Sequence, residues 1–161
     1  MGAVTAAPTS SASTSSTPPL LECVGFYNVD FDPPIYLLPG DSNFSGDALY
    51  SGCGALPGAP DSGTSDLAGT GNYSCLAGVG GGRQEINWND PGYATRHIEF
   101  TTVSLRPLGE STIVFLGKVT SGYLSGYSVR QVVEIITPDL TGCLTGIDNL
   151  GGPSVITFTA A

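Results

Sequence analysis

The residues able to do chemistry in this chain are few, and their spacing does not join them into a catalytic set. His97 is the single histidine. A Ser–His–Asp triad would need it as the general base, yet no G-x-S-x-G motif or other nucleophile signature accompanies it. Two positioned carboxylates can act as acid and base, but nothing marks out one pair among the 14 acidic residues. We therefore expect a protein that is not an enzyme.

The sequence also lacks the patterns typical of cofactor and metal sites. Residues 78–82 are mostly glycine and precede Arg83, but the Lys-Ser/Thr pair of a phosphate-binding loop is missing, and a strand rather than a helix should follow. Late loops carry Asp139, Asp148 and Asn149, whose oxygens suit calcium, although no EF-hand spacing is present. The sequence therefore predicts no cofactor and no bound metal.

The charge of the chain excludes two classes of partner. Its formal net charge is −9, and it has only five Lys and Arg residues. Nucleic acids and anionic membrane surfaces both require a basic patch, which these scattered residues cannot form. No apolar run reaches the length of a membrane span, so we expect no membrane insertion. The acidic surface is typical of a soluble extracellular protein, and it also favours a basic protein partner.

Four cysteines at wide spacing predict two disulfides. Cys23, Cys53, Cys75 and Cys143 include no C-x-x-C pair, and a single histidine leaves zinc poorly supplied with ligands. Disulfides indicate an oxidising compartment, so we expect a secreted, extracellular protein. Three connectivities are possible. We favour Cys53 with Cys75, which would close a long loop, and therefore Cys23 with Cys143.

The first 21 residues predict a flexible arm, followed by a single folded domain at residues 22–161. Ala, Ser, Thr and Pro dominate the arm, and no charged residue occurs in it. Two interpretations remain open. The arm is either a disordered segment behind a cleavage site, or it orders on a protein partner with Pro18, Pro19, Leu20 and Leu21 as its apolar anchor.

Residues 111–138 contain the strongest strand signal in the chain. Two β-rich runs, at 112–120 and 127–137, alternate with period two and are joined by a Gly- and Ser-containing turn. This pattern is typical of paired antiparallel strands. Aliphatic residues occupy both faces of each run, so we expect the pair to lie at the centre of the fold and to be covered on both sides.

The whole chain predicts an all-β domain of about seven strands. Long helices would need runs of Ala, Leu, Glu, Lys and Gln, which the sequence lacks. The other predicted strands lie at 22–31, 48–52, 84–89, 95–105 and 153–160. A long Gly/Pro-rich loop is expected between residues 53 and 82. Strand number and spacing favour an immunoglobulin-like two-sheet sandwich.

Two tyrosines, Tyr123 and Tyr127, lie in the turn segment G-Y-L-S-G-Y. Exposed tyrosines on a rigid scaffold suit the binding of proteins or sugars. The alternative is that both rings cap the core, because tyrosine is commonly half-buried. Both are therefore candidate partner-binding residues, and both interpretations stay open.

Beyond residue 20, a series of short motifs resembles a group of small secreted proteins from Streptomyces and its relatives. The motifs, in order, are C-x-G at 23–25, S-G-C at 51–53, S-C-L at 74–76, I-N-W-N-D at 86–90, G-K-V-T-S-G-Y-L-S-G at 117–126, R-Q-V-V at 130–133, P-D-L-T-G-C-L-T at 138–145 and G-P-S-V-I-T-F-T at 152–159. The most specific are G-x-V-T-S-G and P-D-L-x-x-C-L. One group of this kind is the adaptor subunit of the umbrella toxin particles, which are secreted antibacterial assemblies.

The resemblance implies a non-enzymatic β-sandwich adaptor that links a lectin-like subunit to the repeat ring of a large polymorphic toxin. It also implies that the arm docks on the lectin-like subunit and that a face of the sandwich meets the toxin repeats. Residues 33–36 and the Gly/Pro-rich region are more elaborate than the family pattern.

Two other functions remain as alternatives. The first is a secreted small-molecule carrier or protease inhibitor with an immunoglobulin-like fold, which would share the compartment, size and acidic charge but no sequence motif. The second is a hydrolytic enzyme that uses His97.

Overall fold

The computed structural model describes residues 21–54, 58–75, 77–89, 93–105, 112–134 and 140–160. They form eight strands and one short helix: β1 (Leu21–Ile35), β2 (Gly40–Gly54), β3 (Gly63–Tyr73), β4 (Ala77–Trp88), β5 (Ala94–Leu105), β6 (Thr112–Gly122), β7 (Ser128–Glu134), α1 (Leu140–Thr145) and β8 (Ile147–Thr159). The predicted arm up to residue 20 lies outside the described residues. Among the residues described, α1 is the only helix, and its six residues are too few to cross a bilayer.

The eight strands form a closed barrel in which each strand pairs antiparallel with the next, and β8 pairs with β1. The all-β prediction is confirmed, but the predicted immunoglobulin-like sandwich is wrong. Alternating strands separated by turns are common to sandwiches and barrels. A barrel differs from a sandwich in that its first and last strands pair. Here β1 pairs with β8, which joins residues as distant as Leu21 and Phe158. No local pattern encodes such a contact.

Strands β6 and β7 form the predicted antiparallel pair, with Val114 opposite Val132 and Leu116 opposite Arg130. The expectation that both faces are covered is wrong. Phe115 points into the barrel and is buried, whereas Leu116 on the other face is 47% exposed. A barrel has one interior, so the second aliphatic face of this pair forms part of the outer wall.

The glycine-rich stretch predicted as a long loop contains the end of β2, all of β3 and the first half of β4. A methyl group at Gly69 would meet the Gly81 carbonyl oxygen and the Phe44 ring, and one at Gly80 would meet the Tyr73 hydroxyl. The missing side chains therefore leave room for aromatic rings and for close approach of the strands. Because glycine has no side chain to alternate, these strands lack the period-two signal.

Two disulfides are present, but the favoured pairing is wrong. Cys23 pairs with Cys53, and Cys75 pairs with Cys143. β1 and β2 are antiparallel neighbours, which brings Cys23 beside Cys53 with 4.1 Å between their Cα atoms. Cys53 and Cys75 lie beyond opposite ends of β3, whose residues span about 36 Å, and so cannot meet. The two disulfides fit an oxidising, extracellular-type environment.

Candidate protein-binding surface

The barrel interior is filled by its own side chains, with an apolar layer towards each end and a polar layer between them. The larger apolar members are Leu21, Ile86, Trp88, Ile98 and Phe158 towards the end where β1 begins, and Phe31, Phe44, Tyr73, Phe100 and Phe115 towards the end that carries α1. The polar layer consists of Tyr27, Tyr50, Ser65, Gln84 and Gln131, each at most 3% exposed.

The hydrogen bonds of this polar layer can be assigned donor by donor. The Tyr50 hydroxyl donates to Gln131 Oε1 at 2.6 Å, so the Tyr27 hydroxyl, 2.6 Å from Tyr50, must donate to it. Gln84 Nε2 donates to the Tyr50 hydroxyl at 2.6 Å and to Ser65 Oγ at 2.7 Å. Gln131 Nε2 donates to Gln84 Oε1 at 2.7 Å. The layer therefore joins β1, β2, β3, β4 and β7 across the interior.

Burial holds both phenols of this layer in their neutral form. The pKa of Tyr27 is raised well above its usual 10.0, first by loss of hydration and then by the neighbouring Tyr50. Loss of hydration also raises the pKa of Tyr50, while its hydrogen bonds to Tyr27, Gln84 and Ser65 oppose part of the shift. Neither phenol loses its proton near neutral pH, so the layer is a structural network rather than an acid–base site.

A small cavity lies between the polar layer and the end of the barrel that carries α1. It measures about 20 Å³, and its lining includes the rings of Tyr27, Phe31, Phe44, Tyr73 and Phe115. That volume holds about one water molecule, whereas sites for small organic ligands occupy roughly 300–1,000 Å³. This cavity, which is lined by residues that the structure describes, is therefore too small for the cargo of a small-molecule carrier.

Leu21, predicted as part of the apolar anchor of the arm, is the first residue of β1. It is fully buried and lies opposite Phe158 of β8. A partner cannot reach this side chain, so Leu21 belongs to the core of the barrel. Pro18, Pro19 and Leu20 lie outside the described residues, and their role as an anchor stays a prediction.

Tyr123 and Tyr127 lie in the turn between β6 and β7, and both are half-buried and packed against the core. The Tyr123 ring stands edge-on to Tyr93 and Trp88, with ring-centroid distances of 4.7 and 6.5 Å. Of the two interpretations left open by the sequence, this packing favours rings that cap the core. They close the end of the barrel where β1 begins.

The other candidate groups lie on the outside of the barrel. His97 is exposed and lies where the pairing of β5 with β6 shifts register. Asn149, considered as a calcium ligand, donates to Asp30 at 2.7 Å and to Asn28 at 3.0 Å. In the part of the chain that the structure describes, no group of three or more His, Cys, Asp or Glu side chains is placed to hold a metal ion.

The outer wall carries a continuous apolar surface that the sequence analysis did not identify. Val24 of β1 lies opposite Val155 of β8, Val155 lies opposite Val132 of β7, and Val132 lies opposite Val114 of β6. Directly opposite residues on neighbouring strands have their side chains about 5 Å apart. The four valines therefore form one row across four strands.

Two larger side chains extend this row towards β2. Phe26 is two residues from Val24, on the same face of β1, and lies opposite Leu49 of β2. We name the outer apolar band after its six members, Val24, Phe26, Leu49, Val114, Val132 and Val155. Leu49, Val24, Phe26 and Val155 are 62%, 53%, 50% and 40% exposed, and the other two are half-buried.

The outer apolar band contains a shallow depression. It measures about 290 Å³, and its lining includes Val24, Val132, Val155, Pro153 and Glu134. Interfaces between proteins pack as closely as protein interiors. A surface with both exposed side chains and a depression can interlock with a partner in this way.

Few charged side chains border the outer apolar band. Arg130 and Glu134 flank Val132 on β7, and both are exposed. Glu22 of β1 accepts a hydrogen bond from the Thr157 hydroxyl at 3.2 Å. Asp47 of β2 lies two residues from Leu49 on the same face. The immediate surroundings of the band thus combine one cation with three carboxylates.

Next to the outer apolar band, the wall formed by β2, β3 and β4 is acidic. Asp47 of β2 lies opposite Asp66 of β3, and Asp66 lies opposite Glu85 of β4. Like charges at directly opposite positions destabilise a sheet. A groove of about 670 Å³ on the same side is lined in part by Asp66, Glu85, Arg83 and His97. The outer wall therefore carries two chemically distinct surfaces, which adjoin at β2.

A signal for the outer apolar band is present in the sequence, where a second aliphatic face predicts burial. Val114 and Val132 alternate with the inward residues of β6 and β7, and this second aliphatic face indicated strands covered on both sides. Val24 and Val155 alternate with inward residues of β1 and β8 in the same way. A second aliphatic face fits either burial under another layer or an exposed apolar surface. Because the sheet is a closed barrel with one interior, this face is exposed.

Comparison of the chain with protein families, curated proteins and solved structures found no match. The resemblance to the umbrella toxin adaptors therefore rests on the motifs quoted above, and the role of the band has to be argued from its own geometry.

Proposed function

We propose that the protein is a secreted, non-enzymatic adaptor that assembles with other protein chains through its outer wall. The observation that carries this proposal is the outer apolar band, in which Val24, Phe26 and Leu49 are each at least half exposed. Contiguous apolar patches of this kind mark surfaces that bind a partner. The sheet closes on itself and has no free edge to which a strand of a partner could pair. A partner that binds the wall of the barrel therefore contacts its outward side chains.

Strand propensity alone does not call for an apolar wall. β-Branched side chains stabilise strands, and threonine supplies them at other outward positions, among them Thr64, Thr70 and Thr101, where it leaves the wall polar. Leucine is not among the residues enriched in strands. Leu49, which is 62% exposed, therefore adds apolar surface that its strand does not require.

Two competing functions find less support. A cavity of about 20 Å³ is too small for the cargo of a carrier. Tyr27 and Tyr50 are held neutral inside a closed network, and His97 lies on the outer wall, away from both. An adaptor needs neither a cargo cavity nor a catalytic group.

The resemblance suggests which partners to test. The umbrella toxin adaptors, which these motifs resemble, link a lectin-like subunit to the repeat ring of an antibacterial toxin. We propose the same two partners for this chain, with the predicted arm and the barrel as separate docking elements.

A pull-down from native culture supernatant tests this proposal. The bait is the full chain with a C-terminal tag, in three forms. These are the unchanged chain, Val155→Glu at the centre of the band, and Ala68→Glu at an exposed position of β3 as the matched control. Bound chains are identified and counted by quantitative mass spectrometry.

The adaptor role predicts that the unchanged chain and the Ala68→Glu control recover a lectin-like protein and a large repeat protein in a fixed ratio. Val155→Glu should lose at least one chain of the recovered complex by about tenfold or more, because an unpaired carboxylate in an apolar interface is strongly unfavourable. An unchanged bait that is recovered alone contradicts the adaptor role. Equal recovery by all three forms contradicts the assignment of the band.

A further inference from the structure

The outer apolar band has two unlike borders. On the side nearer the end where β1 begins, Arg130 of β7 lies opposite Thr157 of β8, and Thr157 lies opposite Glu22 of β1. One cation and one carboxylate thus share this border, and their charges balance. On the side nearer α1, Glu134 of β7 and Asp47 of β2 are both carboxylates. The band is therefore neutral along one border and acidic along the other.

The acidic border continues away from the band as a row of like charges. Asp47 lies opposite Asp66 of β3, which lies opposite Glu85 of β4. Directly opposite side chains are about 5 Å apart, and like charges at such positions destabilise a sheet. Arg83, two residues from Glu85, lies opposite another carboxylate, Glu99 of β5. None of the three carboxylates in the row forms an ion pair with another residue that the structure describes.

This row indicates the charge of the partner. A local arrangement that lowers stability is typical of a functional surface, where binding relieves it. A second copy of the chain does not supply the opposite charge, because each copy has a net charge of −9 and only five Lys and Arg residues. Two copies therefore repel each other, and charge complementarity favours a different chain that carries Lys and Arg beside apolar side chains.

We infer that the protein partner at the β2 end of the outer apolar band is basic. It places apolar side chains on Phe26 and Leu49, and Lys or Arg side chains over Asp47 and Asp66. Leu49 and Asp47 are about 7 Å apart along β2, so one short segment of a partner reaches both. The long stems of Lys and Arg pack on apolar surface while their charged groups bind carboxylates.

The inference rests on the proposed function, because it names the chemistry of the partner that covers the same band. The apolar contact supplies most of the affinity. The carboxylates orient the partner, with its cations towards the side nearer α1, and they speed its association. The same row repels a partner whose interface has an acidic rim.

Thermal unfolding of the purified full chain at low salt tests whether the row is repulsive. Asp66→Asn removes the central charge and should raise the midpoint of unfolding by about 1–3 °C. Asp61→Asn, the matched control, removes the same charge at an exposed position between β2 and β3, and should shift the midpoint by less than half as much. Added salt screens the repulsion and should reduce the difference. Equal shifts, or a lower midpoint for Asp66→Asn, overturn the inference.

Three synthetic peptides of about ten residues probe the surface itself. The first joins a half made of Leu and Val to a half rich in Lys. The second has Glu in place of Lys, and the third has Ser in place of Leu and Val. Binding to the full chain is followed by the NMR shifts of its backbone amides, which report both the Kd and the residues contacted.

The Leu/Lys peptide should shift the amides of Asp47, Leu49 and Asp66 and bind at least about tenfold more tightly than the other two peptides. Asp66→Asn should raise its Kd about threefold or more at low salt, whereas Asp61→Asn should change it less than about 1.5-fold. Equal binding of the Lys and Glu peptides, shifts confined to other residues, or no binding up to about 5 mM overturns the inference.

Other occupants of the surface give other results. Calcium ions that shift the same amides at a lower concentration than the Leu/Lys peptide assign the row to a metal and overturn the inference. Self-association of the chain through these amides overturns it as well.

These results are distinct from the test of the proposed function. A chain that loses its secreted partners through Val155→Glu but does not distinguish the Lys and Glu peptides contradicts the basic partner, not the adaptor role. A chain that selects the Leu/Lys peptide but recovers no secreted partner contradicts the adaptor role, not the chemistry of the surface.

Discussion

At the residue scale, the polar layer inside the barrel gives unequal roles to two side chains that are equally buried. Gln131 accepts the proton of Tyr50 and donates to Gln84. Tyr27 adds a second donor to the Tyr50 oxygen, which already accepts from Gln84. Its hydroxyl also accepts a long bond of 3.4 Å from Gln84 Nε2, but that nitrogen has shorter bonds to Tyr50 and Ser65. Removal of Gln131 therefore leaves buried polar atoms unsatisfied, whereas removal of the Tyr27 hydroxyl does not.

This difference predicts the cost of two substitutions. Gln131→Leu should lower the free energy of unfolding by about 2–4 kcal/mol, because the Tyr50 hydroxyl and Gln84 Oε1 lose their partners. Tyr27→Phe should lower it by about 1 kcal/mol or less. Urea denaturation followed by the fluorescence of Trp88, the single tryptophan, measures both values. Equal losses contradict the donor assignment.

The two phenols also predict a loss of stability in alkaline solution. Burial raises the pKa of Tyr27 and of Tyr50 in the folded state, whereas both return to the usual 10.0 when the chain unfolds. Above pH 10 the folded state therefore binds more protons than the unfolded state, so the free energy of unfolding falls as the pH rises. Below pH 10 these two groups contribute full stability and no pH dependence.

Urea denaturation at intervals from about pH 8 to about pH 11 measures this effect. The free energy of unfolding should fall above pH 10, and Tyr27→Phe should reduce the slope because one of the two phenols is gone. A slope above pH 10 that Tyr27→Phe leaves unchanged contradicts the role of Tyr27.

At the scale of elements, β3 and β4 depend on positions without side chains. A methyl group at Gly69 would press on the Gly81 carbonyl oxygen and the Phe44 ring. Gly69→Ala should therefore lower the free energy of unfolding by about 1–3 kcal/mol. At Gly40, the matched control, a methyl group would meet nothing within 4 Å, and Gly40→Ala should change stability by less than about 0.5 kcal/mol. Thermal unfolding compares the two, and equal shifts contradict the packing described for β3.

The two disulfides join elements over different lengths of chain. Cys23 and Cys53 are 30 residues apart, and Cys75 and Cys143 are 68 residues apart. Paired substitution by Ser should cost about 3.6 kcal/mol for the first bridge and about 4.4 kcal/mol for the second, on chain-entropy grounds. Denaturation of the two double variants gives their order. Peptide mapping without reduction checks the pairing itself, and a peptide that joins Cys53 to Cys75 contradicts the barrel topology.

The elements that could be predicted from the sequence are those whose signal is local. The pair of β6 and β7 alternates within each strand, so its existence and antiparallel pairing follow from short windows. β3 and the first half of β4 could not be predicted because their inward glycines, among them Gly69 and Gly80, remove the alternation. Closure of the barrel and the disulfide pairing depend on which distant strands meet, such as β1 with β8. The alternation of residues within one strand carries no information about which strand lies beside it. The band residues were visible as a second aliphatic face, but their exposure is a property of the closed barrel.

At the scale of the whole molecule, the described residues pack their buried side chains inside a closed sheet, and the surface that we propose for binding is the outer wall. The outer apolar band covers β1, β2, β6, β7 and β8, and the row of carboxylates covers β2, β3 and β4. A barrel that presents two such surfaces suits a connector between larger chains better than a container. The central claim is therefore that protein covers the outer apolar band in the native state.

Hydroxyl-radical footprinting of the native secreted material measures most directly whether the band is covered. The oxidation rates of Phe26 and Leu49 are compared between the native assembly and the purified chain at high dilution, with Leu144 on α1, which is 69% exposed, as the internal reference. We expect Phe26 and Leu49 to be protected several-fold in the assembly relative to Leu144. Equal oxidation of the band residues in both samples would contradict the account.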